Sequence, residues 1–205
     1  MIKNIIPIRY INSTGGTFIS ILLSHGRDNR AIAKNFSPHG NAQYMIRDLP
    51  QISHLNFNTA KENIKNISNN LPENITYYIP LHNYTLYNDY FSKIINITYK
   101  ASSILKLIKV FKYKWLIDSN DFPPENIDKE CRQQLRFYIE RLKFHSKNYL
   151  PNVLDLDWEF EILGDPVDLI IKLSNFTLIP QVNFDKNTLV EWQTLTKNLF
   201  NHADL

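Results

Sequence analysis

The chain has 205 residues, 43% of them hydrophobic and 13% aromatic, which is enough to bury a sizeable core in one ordinary domain and excludes a disordered chain. Its net charge is only +3, with a pI near 8.8; so mild a balance does not by itself call for nucleic acid, although it suits a small anionic ligand. No apolar run approaches the roughly 18 residues that cross a bilayer, so a single domain over residues 1–205 with neither nucleic-acid nor membrane partner is expected, its oligomeric state left open.

At the N-terminus, Met1 to Pro7 lacks the sustained apolar core and small-residue cleavage site of a secretory signal, and a cytoplasmic location is expected. The run from Ile5 to Ile11 is β-branched and aromatic and reads as a strand; Pro7, which cannot donate to a ladder, is placed at its beginning, leaving about Ile8 to Ile11 as the paired part. A turn from Asn12 to Gly16 follows. Phe18, Ile21, Leu22 and His25 then recur at helical spacing until Gly26 stops the helix. Residues 27–58 are polar and weakly periodic, a long connection of the kind that can serve as a lid over a substrate. Thr59 and Glu62 form a capping box for a helix reaching Asn69, and Leu71 to Asn74 turns the chain.

Ile75 to Leu81 is the second strand, ending at His82. Tyr84 to Phe91 reads as a short helix and Lys93 to Tyr99 as the third strand. From about Ala101 to Trp115 the stripe Ile104, Leu107, Ile108 and Phe111 marks a helix. After a loop with a double proline, Ile127 to Tyr149 is the longest helix, with Cys131, Leu135, Tyr138, Ile139 and Leu142 as its apolar stripe. Its Arg132, Arg136, Lys143 and Lys147 form a basic face that reads as solvated surface. Val153 to Phe160 alternates apolar and acidic residues as a half-buried strand does. Asp165-Pro166 opens a further helix, and the last runs from about Asp185 to Phe200 along Leu189, Trp192, Leu195 and Leu199. Strands alternating with helices favour an α/β domain with a central, mainly parallel sheet in three layers. Cys131, the only cysteine, reads as a core residue, and the histidines have no ligand-like spacing with carboxylates, so no metal site is expected.

Three places carry candidate chemistry. In Asn12-Ser13-Thr14-Gly15-Gly16-Thr17, glycines between a strand and a helix let backbone N–H groups converge on an oxyanion at the helix's positive end, with Thr17 and Ser20 as added donors. A plain tight turn explains the same residues. The stretch lacks the Gly-Lys-Ser/Thr end of a Walker A loop and is not the Gly-x-Gly-x-x-Gly fingerprint. Lys100, Ser102 and Ser103 stand where the third strand gives way to a helix; a cation, hydroxyls and the helix dipole could hold a second phosphate there, and simple helix capping is the other account. His82, at the end of the second strand, is placed to take a proton from a hydroxyl near neutral pH, or is an ordinary polar residue.

Taken in this order, these stretches resemble the P-loop sulfotransferase family, which transfers a sulfuryl group from 3′-phosphoadenosine 5′-phosphosulfate to a hydroxyl or amine. The family's Pro-Lys-x-Gly-Thr-Thr-type loop corresponds to Ser13-Thr14-Gly15-Gly16-Thr17-Phe18, its strand-end histidine to His82, and its 3′-phosphate site to Lys100 with Ser102 or Ser103. Trp158 to Pro166 and Leu173 to Thr177 look similar to later family segments, so the likeness runs from about Ile5 to Phe176. It implies a P-loop NTPase-like sulfotransferase fold, 3′-phosphoadenosine 5′-phosphosulfate as donor, and a hydroxyl acceptor of the carbohydrate or small-metabolite class deprotonated by His82, with Thr17 and Arg9 or Arg27 assisting the leaving group. Thr14 stands where the family has its loop lysine, whose charge stabilisation is worth several kcal/mol in a transition state. That departure points to the alternative, a non-catalytic nucleotide- or anion-binding module on the same fold. A small-molecule kinase would need the missing lysine and a pair of magnesium carboxylates.

Overall fold

The computed structural model describes residues 4–30, 32, 69, 72, 74–81, 91–118, 125–142 and 151–202. Four strands, β1 (Ile5–Arg9), β2 (Tyr77–Leu81), β3 (Ile94–Thr98) and β4 (Val153–Asp157), form one sheet in the order β2-β1-β3-β4, every pair parallel. Helices α1 (Gly16–Arg27), α2 (Ile104–Asp118), α3 (Glu125–Arg141), α4 (Pro166–Thr177) and α5 (Lys186–His202) join and cover these strands. The expected α/β class and parallel sheet are both present. All residues of β1, β2 and β3 are buried, as strands wrapped by crossover helices should be.

Proline placement differs from the expectation. Pro7 lies in the middle of β1, and the strand runs from Ile5 to Arg9 rather than from about Ile8 to Ile11. The β1–β3 register begins only at Ile8, so the missing N–H of Pro7 removes no bond on that side. Pro80 lies within β2, whose partner among the described strands is β1 alone.

Boundaries shift elsewhere for local reasons. β2 starts at Tyr77 and β3 spans Ile94–Thr98. The helix expected from Ala101 opens as a 3₁₀ turn, Ala101–Ser103, before α2 begins at Ile104. α3 is described over Glu125–Arg141, and the expected helix from Lys143 onward, with Lys147, lies outside the described residues; Ile139, expected on its apolar stripe, is 55% exposed, while Cys131 and Tyr138 are buried and Arg132 and Arg136 are exposed. The alternating run expected to stay a strand to Phe160 leaves it after Asp157 and winds into a π-helical turn, Trp158–Ile162. There the Asp157 carboxylate accepts from the Glu159 and Phe160 N–H groups at 3.0 Å each, offering the backbone an alternative to the ladder. Asp165 caps α4 by accepting from Val167 and Asp168 N–H, with Pro166 as first helical residue, as read from the sequence. The expected helices at residues 59–69 and 84–91 fall almost wholly outside the described residues; Phe91 itself lies in an isolated bridge.

One apolar cluster joins Ile6, Ile8, Ile95, Ile97 and Leu156 of the sheet to Phe18 and Leu22 of α1, Leu107 of α2, Tyr138 of α3, Leu173 of α4 and Trp192 of α5. No described helix is long and apolar enough to cross a membrane.

Candidate functional site

The strand order fixes where a site can form. From β1 the chain passes to β2 on one side and later to β3 on the other, so the connections leaving β1 and β3 part at the carboxyl edge of the sheet. A crevice outside that edge is where open α/β sheets receive ligands. The glycine turn leaves β1 and the Lys100–Ser103 turn leaves β3; these two sequence candidates are therefore neighbours in the fold. Tyr138 of α3 ties them: the Tyr99 hydroxyl donates to the Tyr138 carbonyl at 2.5 Å, and the Tyr138 hydroxyl donates to the Asn12 carbonyl at 2.9 Å.

Within the glycine turn, Ser13 and Gly15 hold left-handed backbone, with φ of 69° and 79°. Thr14 is fully buried, its N–H and hydroxyl both donating to the Ile11 carbonyl at 3.2 and 2.7 Å. Gly15 stands at the N-cap of α1 and, being glycine, brings no capping side chain of its own; the N–H groups of the first turn lie at the positive end of the helix. Packing explains both glycines. A Cβ on Gly15 would lie 2.6 Å from the Trp192 ring, and one on Gly16 would lie 2.1 Å from the Tyr10 ring. Trp192 in turn stacks on Phe18 with centroids 4.3 Å apart and planes 2° from parallel. The Tyr10 and Thr17 hydroxyls share a 2.8 Å hydrogen bond, and burial pushes the Tyr10 phenol up to about 12, against the pull of that bond, so it stays protonated at neutral pH.

On the β3 side, Lys100 is exposed and its ammonium lies 4.0 Å from the centroid of the Phe160 ring, a cation–π contact. Ser102 is exposed. Ser103 is fully buried and its hydroxyl donates to Glu159 Oε2 at 2.7 Å. Lys106 pairs with the other carboxylate oxygen of Glu159. Burial resists ionisation of Glu159, but the bonds from Lys106 and Ser103 outweigh it and hold its carboxyl below the ordinary range. Ser103 thus serves Glu159 and not an open pocket, while Lys100 and Ser102 face solvent. Sequence reading did not single out Glu159, Phe160, Tyr10 or Trp192 as site residues: Glu159, Phe160 and Trp192 reach this edge from distant parts of the chain, and Tyr10 shows its role only through its contacts with Gly16 and Thr17.

His82 lies outside the described residues; it is the next residue after β2, whose Leu81 carbonyl accepts from Tyr10 N–H at 3.1 Å. Arg27 does not belong here. It ends α1, roughly 16 Å along the helix from Gly16 at 1.5 Å per residue, where its Nε donates to Asp28 at 2.6 Å and its Nη1 to the Thr76 carbonyl at 2.6 Å. Arg9, the other arginine considered for the leaving group, is buried at the end of β1. No known family model, curated protein or solved structure matches this chain.

Proposed function

We propose that this chain is a binding module of sulfotransferase-like fold that holds a phosphate group of a nucleotide, of the adenosine 3′,5′-bisphosphate type, between the β1–α1 turn and the β3–α2 turn. One observation carries this reading: a helix N-terminus with glycine as its cap residue, entered through left-handed backbone at Ser13 and Gly15, stands beside the carboxyl end of β3 at the switch point of a parallel sheet. Amides of the Gly15–Thr17 stretch would take the 5′-phosphate oxygens, and Lys100 with Ser102 would reach the 3′-phosphate from the other turn. Thr14 favours binding over turnover. Its hydroxyl is fully buried and engaged with Ile11, so the turn has no cation at the position where the resemblance calls for a lysine to neutralise the leaving group.

Sulfuryl transfer from 3′-phosphoadenosine 5′-phosphosulfate to a hydroxyl is the second reading, favoured by the position of His82 in the chain directly after β2, the strand beside β1. His82 would then accept the acceptor's proton as the oxygen–sulfur bond forms and adenosine 3′,5′-bisphosphate departs.

Thermal melting with adenosine 3′,5′-bisphosphate tests both. Saturation to 100 times Kd should add about 2.7 kcal/mol to stability, and the gain should shrink in Lys100→Ala. Transfer of labelled sulfuryl to a panel of hydroxyl acceptors then separates the readings: binding without transfer supports the module, and transfer abolished by His82→Ala supports the enzyme. A melting curve that does not move with the bisphosphate sinks both.

A further inference from the structure

A second polar locus lies on the body of the sheet, apart from the two turns. Arg9 of β1 is in register with Asn96 of β3, and Asn96 with Asp155 of β4. The three side chains therefore form one row across adjacent strands, on the face opposite Ile8, Ile95 and Leu154. Such a row is unusual where everything else in β1 is apolar. Arg9 is 3% exposed and Asn96 is fully buried.

Hydrogen-bond accounting leaves the row incomplete. Asn96 Nδ2 donates to Asp155 Oδ1 at 2.5 Å, which fixes the orientation of the amide, since a carboxylate only accepts. Asn96 Oδ1 is then left buried without a donor, and Nε, Nη1 and Nη2 of Arg9 are buried without an acceptor. Each such group costs on the order of a lost hydrogen bond, and a guanidinium more than that. Burial pulls the Arg9 pKa down to about 10, with the charge of Asp155 opposing the shift, so the side chain still carries its charge at neutral pH.

We propose that Arg9 and Asn96 bind a small monoanionic oxyanion that carries its own hydroxyl, a hydroxycarboxylate or singly protonated phosphoryl group. Each unmet group selects part of that chemistry. The planar fork of Arg9 matches a pair of acceptor oxygens. Asn96 Oδ1 accepts a donor, which a hydroxyl on the ligand would supply. The Asp155 carboxylate, next in the row, repels a second negative charge and so favours a monoanion over a dianion. This site needs neither the glycine turn nor a nucleotide, and it stands if the bisphosphate does not bind.

Glycolate and acetate, two monoanionic carboxylates that differ by one hydroxyl, make the test. The whole chain, labelled with ¹⁵N-arginine, is titrated with each at constant ionic strength while the Nε–H resonance of Arg9 is followed; Arg9→Lys identifies that signal by its loss, or correlation to the Arg9 backbone does so if the variant does not fold. The expected result is a saturable shift with both, glycolate binding roughly fivefold tighter than acetate, the ratio due to one net hydrogen bond. Asn96→Leu should erase that ratio. An Arg9 signal that responds to neither anion beyond the effect of chloride, or that responds equally to both, overturns the proposal.

Discussion

Gly15 shows how one residue can meet two demands at once. Its φ of 79° lies where an L side chain costs roughly 1–2 kcal/mol, and its missing Cβ is where the edge of the Trp192 ring approaches. Gly15→Ala should therefore lose both the backbone fit and the ring contact, about 2–4 kcal/mol together, read as a lower urea midpoint with an unchanged slope. Gly16→Ala, with ordinary backbone but a Cβ 2.1 Å from the Tyr10 ring, should destabilise through crowding alone, and the double variant Gly16→Ala/Tyr10→Leu should recover part of the loss. If Gly15→Ala costs less than about 1 kcal/mol, the turn is free to relax and its packing is not what demands glycine. The sequence makes the turn legible, because glycines after a β-branched run have few other uses. It does not reveal that aromatic rings fill the space beside both glycines, since Trp192 is brought there by the fold from the far end of the chain and the direction of the Tyr10 ring is set only by the packed structure.

At the level of elements, β4 and the π-turn after it show a local signal overriding periodicity. Val153 to Phe160 alternates apolar and acidic residues, which favours continued strand, yet Asp157 turns its carboxylate onto the next two free N–H groups and ends the ladder. The same residue's N–H donates to Glu161 Oε2 at 2.6 Å, closing the turn from the other side. Asp157 is 4% exposed, so Asp157→Ala should leave two N–H groups unmet and cost about 2–3 kcal/mol. Asp165, which makes the corresponding bonds at the start of α4 from an exposed position, should cost only about 1 kcal/mol as Asp165→Ala. Urea denaturation of the two variants checks the ordering, and equal losses would mean that water replaces the Asp157 bonds. α4 begins where the sequence places it because a capping aspartate and a first-turn proline agree there, and α5 lies within two residues of its expected bounds, although Leu195 of its expected stripe is 36% exposed. For β1 the signals conflict: proline argues against a central strand, and only the register, with β3 joining after Pro7, shows how the strand accommodates it.

Across the whole molecule, α5 is the piece that ties the end of the chain to its first turn. Trp192, 1% exposed, stacks on Phe18 of α1 and lies against Gly15, while the Phe200 carbonyl accepts from Lys109 of α2 at 3.1 Å and the Phe200 ring meets Trp158 edge-on. Removing the indole leaves a void between α1, α5 and the turn, so Trp192→Ala should cost about 3–5 kcal/mol. In a chain of this size that lowers Tm by roughly 6–20 °C. Trp192→Phe keeps a ring to stack on Phe18 and should recover about half of the loss. The same pair of variants reports on the ligand crevice. If the turn's amides are held in place by the ring behind Gly15, the stabilisation by adenosine 3′,5′-bisphosphate should fall in Trp192→Ala by more than in Leu199→Ala, which also opens a core cavity on α5 from a position 4% exposed, whereas the atoms nearest a Cβ on Gly15 and Gly16 belong to Trp192 and Tyr10. Equal weakening in both variants would assign the effect to general loosening of α5, and the ring behind Gly15 would then have a packing role only.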